Sequence, residues 1–151
     1  MTSQNYGANA GVSDARFINT YIVFWGDERK RLSLVGTVDG AARDPNSGVL
    51  GLIRPGMMFG QVTATGKLMP YDPTASDGTE VFKGIIGEEL NMLDYRDGSN
   101  EDKTNTNIYV SAPVRASDLL IGGLPLIGHP QEAAARAALA NNFILDDLLT
   151  I

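Results

Sequence analysis

The 151-residue chain has no cysteine, which excludes disulfides and thiolate chemistry. A reducing assembly compartment suits such a chain. There is one histidine, His129, and one tryptophan, Trp25. With so few soft donors, a metal site would have to be built from oxygen ligands alone. No apolar run approaches the roughly 20 residues of a membrane span. The N-terminus lacks the basic-then-apolar order of a secretory signal. Basic residues are also in deficit, 12 against 18 acidic, for a formal charge of −6. That balance speaks against a nucleic-acid or anionic-membrane partner, since either selects a basic surface.

Groups able to carry out chemistry are correspondingly sparse. A hydrolytic triad needs a base within reach of a nucleophile and a third group to orient it. His129, Ser117 and Asp118 are the available set, but no nucleophile elbow surrounds them. His129 precedes Pro130 and reads as a helix-start residue capping exposed N–H groups. Gly36, Gly40, Gly48 and Gly51 lack the spacing and following helix of a phosphate loop. Asp94, Asp97, Asn100, Glu101 and Asp102 are clustered, yet they miss the alternation and terminal Glu of a calcium loop. The expectation is a protein with no catalytic residues, no cofactor and no metal.

What the chain does have is glycine (17), proline (7) and short apolar stretches, the composition of a turn-rich, mainly β single domain. Residues 1–14 are polar and aperiodic and read as a flexible arm, with the domain occupying residues 15–151. Phe17 to Trp25 (FINTYIVFW) is the most apolar and aromatic stretch. As a strand it places Phe17, Asn19, Tyr21, Val23 and Trp25 on one face and Ile18, Thr20, Ile22 and Phe24 on the other. Both faces need cover, either as an internal core strand or by pairing with another chain. Gly26–Arg31 is a charged turn, and Leu32–Val38 a strand, so the two strands are expected to form a hairpin. The basic trio Arg29, Lys30 and Arg31 is either a solvated tip or a contact for an acidic partner. Asp39–Gly48 reads as a loop, Val49–Ile53 as a strand and Arg54-Pro55-Gly56 as a turn.

The centre of the chain is Gly51 to Leu90. Gln61–Ala64 and Lys67–Met69 form a hairpin about Thr65-Gly66, and Asp72–Gly78 supplies a second reversal. Val81–Ile86 reads as a strand whose Gly84 marks a bend or a close backbone approach. Leu90 to Asn107 reads as a surface loop, and Ile108–Ala112 as a strand in which Pro113 marks the limit or an edge position. A short helical turn at Arg115–Ile121 and an apolar connector, Leu124–Gly128, follow. The clearest helix is Pro130–Ala140, with Glu132 complementing its N-terminal end. Asn141 or Asn142 in a left-handed conformation would close it, ahead of a short extended Phe143–Leu145.

The ordered set Thr65-Gly66-Lys67, Ser76-Asp77-Gly78, Gly84-Ile85-Ile86 and Glu88-Glu89 resembles the phage head decoration proteins of the lambda protein D type. The order of elements from Val110 to Leu145 extends the resemblance, which then covers about residues 51–145. The strands read before Val38 are an addition to the polar arm usual in that family. The resemblance implies a β-clip-like bent ribbon or small barrel with one short Ala-rich helix. It implies a capsid decoration, or cement, protein of the virion, assembled in the host cytoplasm. It would bind the major capsid protein on the outer surface of the mature head as a homotrimer at three-fold positions, and stabilise the shell. The expected attachment residues are Phe17, Tyr21, Val23, Trp25, Arg29 and Arg31. Of these, Tyr and Trp are favoured interface anchors. The alternative is a small β-barrel module binding protein or carbohydrate.

Overall fold

The computed structural model describes Phe24 and residues 30–147. Ten strands and one α-helix follow in order, with a 3-10 turn at Ala116–Asp118 inside the stretch read as a short helical turn. These are β1 (Leu32–Val38), β2 (Leu52–Ile53), β3 (Met58–Gln61), β4 (Leu68–Pro70), β5 (Phe82–Ile86), β6 (Leu90–Asn91), β7 (Lys103–Arg115), β8 (Leu120–Ile121), β9 (Leu124–Pro125), α1 (Glu132–Leu139) and β10 (Phe143–Asp146). Strands β1, β4, β3, β5 and β7 are neighbours in that order, and β7 returns to β1, so five strands close a barrel. β10 lies outside it, parallel to the C-terminal part of β7. The expected mainly β architecture with a single short helix is what the chain forms.

Two apolar cores explain why the central strands read as continuous apolar runs. Met58, Ile85, Leu119 and Ile121 join Phe24, Tyr71, Val114, Leu126, Ala135, Leu139 and Phe143 in one cluster. Their chain neighbours Met57, Phe59, Ile86 and Leu120 join Val38, Ile53, Leu68, Met92 and Ile108 in the other. Successive strand side chains point to opposite faces. β3 and β5 therefore feed both cores and lack a polar face. Gly84 of β5 packs closely against β7. A Cβ there would overlap the Ile108 side chain and sit 2.8 Å from the Tyr109 carbonyl oxygen. Gly84→Ala is expected to cost about 1–3 kcal/mol of stability by overpacking, read as a lower midpoint in urea with unchanged slope.

Several elements differ from the sequence reading. The hairpin about Thr65-Gly66 is real, but its first strand is Met58–Gln61 and Gln61 is the last residue of that strand, not the first, because the apolar Met57-Met58-Phe59 is buried. Val62–Lys67 is a closed loop, with Gly66 N–H donating to Val62 O at 2.8 Å and Gly66 at φ 73°. The strand read at Val49–Ile53 shrinks to Leu52–Ile53, with Val49 and Leu50 exposed in a turn. The loop read from Leu90 to Asn107 is shorter, since β6 occupies Leu90–Asn91 and β7 begins at Lys103. The polar Thr104, Asn105 and Asn107 are exposed while Thr106 and Ile108 are buried, so this part of β7 is a half-solvated strand. Pro113 does not end β7; it lies inside it, beside Ile144 of β10.

The helix is Glu132–Leu139, burying Ala135 and Leu139 one turn apart. His129 Nδ1 accepts the Gln131 N–H at 2.9 Å, the helix-start role expected of it. Glu132 accepts the Gly128 N–H at 2.9 Å and pairs with Arg136 at 2.7 Å. Neither Asn141 nor Asn142 is left-handed, because Asn105 is the one non-glycine residue with positive φ among those described. Asn142 N–H reaches Leu139 O instead.

Candidate functional site

Of the six residues expected to attach to a partner, Phe17, Tyr21, Val23, Trp25 and Arg29 lie outside the described residues. Arg31 and the neighbouring Phe24 are described. Phe24 is buried and forms an antiparallel bridge with Val114. Its ring lies 4.5 Å from that of Tyr109, tilted by 51°. Gly87 makes room for both, since a Cβ there would come within 2.5 Å of Phe24 and 2.9 Å of Tyr109. The Arg31 guanidinium carbon stands 4.9 Å from the Phe24 ring centroid. The ring face offsets the charge of Arg31, whose Nε is buried without a hydrogen-bond partner. The chain at Phe24 and the chain in β1 both run antiparallel to β7. They therefore share one direction, which the expected hairpin about Gly26 and Asp27 would not produce.

Val114 is thus flanked by Phe24 on one edge and by Leu145 of β10 on the other. Just beyond it, the side chains of Arg115 and Asp118 each keep one buried polar atom unpartnered, Nε and Oδ2. Burial pushes the Asp118 carboxyl above the usual carboxylate range, and the nearby Arg115 charge offsets only part of that. No hydrogen bond links His129 to Ser117 or Asp118. The acidic loop is likewise internally consumed. Asp94 holds Arg96 through two oxygens at 3.1 and 2.7 Å, and Asp97 accepts from the N–H and hydroxyl of Ser99 at 2.9 and 2.7 Å. Those hydrogen bonds keep both carboxyls below the ordinary range. They shape a turn and do not converge on a common point.

A second buried polar group pins the loop after β1 to the β8–β9 hairpin. The Asp44 side chain is fully buried. It accepts Arg54 Nε at 2.7 Å, Arg54 Nη2 at 3.0 Å, the Arg54 backbone N–H at 3.2 Å and the Asn46 N–H at 3.1 Å. Arg54 Nη2 and Asn46 Nδ2 also donate to Gly123 O, at 2.7 and 3.1 Å. Sequence reading missed this cluster. Asp44 stood in a loop by composition, and only the tertiary fold brings Gly123 to it.

The described residues thus form a small closed barrel with Phe24 buried in its core and polar clusters engaged in shaping loops. The family model of the bacteriophage lambda head decoration protein D matches residues 46–144, and the chain belongs to that family. It is a phage head decoration protein, of a structural family associated with the virion capsid. The match begins slightly before the span on which the resemblance rested and ends one residue short of it. No curated protein matches the chain significantly.

Proposed function

We propose that this protein binds the major capsid protein on the outer surface of the mature head, as a homotrimer at three-fold positions, and stabilises the shell. A ligand that binds only the mature lattice adds its binding free energy to that lattice's stability. The observation that carries the attachment reading is the burial of Phe24. In an extended strand, alternate residues share a face. An extended stretch up to Phe24 would by the same alternation set Phe17, Tyr21, Val23 and Trp25 on the face opposite it. That opposite face is the one assigned to the contact with the shell. Arg29 adds positive charge beside this stretch on an acidic chain, while Arg31 is held on the Phe24 ring.

Residues 1–14 act as an arm that orders on the shell, with residues 15–151 as a single folded domain. Hydrogen exchange is expected to show protection of the arm amides only in head-bound protein. Full protection in the free protein would contradict this. Stoichiometric co-sedimentation with expanded heads tests the reading as a whole. A freely binding protein or carbohydrate module would stay in the supernatant.

A further inference from the structure

We infer that the outer edge and exposed side chains of β1, from Leu32 to Gly36, form the seam against a second copy of this chain. The inference rests on the homotrimer of the proposed function and assigns residues to its interface. β1 pairs with β7 along its length, but it meets β4 only at Val38, opposite Leu68. From Leu32 to Gly36 its second edge has no strand partner among the described residues. Leu32, Leu34 and Val35 are 57%, 60% and 63% exposed on that stretch. A solvated edge is ordinarily guarded by lysine, proline or inward charge, and none stands here.

The absence of charge extends across the whole ribbon. Leu32–Val38 (LSLVGTV) and Thr104–Val114 (TNTNIYVSAPV) contain no Asp, Glu, Lys or Arg, in a chain with 30 such residues (12 basic and 18 acidic). The flanking charges are engaged elsewhere: Arg31 lies on the Phe24 ring and Lys103 pairs with Glu101 at 2.7 Å. Depletion of charge is the compositional mark of an interface centre. It also selects the occupant. Copies that each carry −6 repel one another, so they associate most readily through a face that brings no like charges together. A cyclic ring joins two different patches, and an open strand edge needs only an extended segment opposite it.

The test exploits the lack of cysteine. Val35→Cys, labelled with a benzophenone maleimide, is irradiated both as concentrated free protein and on decorated heads, and the adducts are identified by mass spectrometry. A self-adduct in either setting is the expected result. Adducts confined to the shell protein would give this edge to the shell, and no adduct in either setting would leave it solvent-facing. Both outcomes overturn the inference. Failure to co-sediment at all would count against the proposed function, while the free-protein arm still decides the seam. Val35→Glu combined with Leu34→Glu should leave the melting temperature unchanged and weaken self-association at least tenfold. Unaltered self-association would overturn the inference.

Discussion

Arg54→Ala is expected to destabilise the protein by about 3 kcal/mol, because it strands the fully buried Asp44 carboxylate. That is the lower end of the range for breaking a buried pair, since the Arg54 side chain is itself 35% exposed and partly screened. Burial alone would raise the Asp44 pKa. The hydrogen bonds from the Arg54 side chain and backbone and from the Asn46 N–H, together with the guanidinium charge, outweigh it and hold the carboxyl below its ordinary value of 3.8. The sign follows from linkage. A carboxyl depressed in the folded state contributes stability that is fully present above its unfolded pKa and is lost as pH falls through the folded one. The wild type should therefore lose this increment below about pH 4, the unfolded carboxylate value. In Arg54→Ala the acid dependence should flatten. Arg96→Ala removes an exposed pair and should leave the midpoint unmoved. Equal, small effects of the two substitutions would show that the Asp44 cluster does not hold the hairpin.

Phe24→Ala and Trp25→Ala should part company although the residues are adjacent. Phe24 is in the main core, against Tyr109 and beside Val114. Its truncation is expected to cost about 3–5 kcal/mol of folding stability. It also removes the ring beneath Arg31, whose Nε has no hydrogen bond to fall back on. Trp25 takes the opposite face in the proposed arrangement. Trp25→Ala should melt near the wild-type temperature yet lose about 2 kcal/mol or more of head binding, as an anchor does. Denaturant melts and head-pelleting isotherms of both variants separate these effects. If Trp25→Ala melts early while Phe24→Ala does not, the assignment of faces is reversed. If Trp25→Ala melts and pellets as wild type, the stretch is not the attachment surface.

What was legible in the sequence was the local chemistry. Thr65-Gly66, Asp77-Gly78 and the single helix follow from turn residues and alanine propensity, which act within a few residues. Gly84 was legible as a close approach because a glycine inside an apolar strand has few other uses. Less legible was anything set by a distant partner. Thr104 to Asn107 carry loop composition, yet they are strand because β1 lies beside them, with Val35 opposite Asn107 and Gly36 opposite Thr106. Pro113 stays within β7 since a proline forgoes only its own N–H, and the parallel β10 still pairs on either side of it. The direction of the chain at Phe24 was misread for the same reason. A charged glycine-containing turn signals a hairpin locally, and only the shared partner β7 reveals that both segments run the same way. The family resemblance rested on the central motifs, and these lie within the matched span.

The most direct test of the account is the stability of expanded phage heads with and without this protein. Heads are titrated with the purified chain, pelleted, and then heated while release of their contents is followed. The account predicts saturable co-sedimentation at three copies per three-fold position and a release temperature that rises with occupancy, as binding to one lattice state requires. Heads that neither retain the protein nor gain stability at saturating concentration would contradict it.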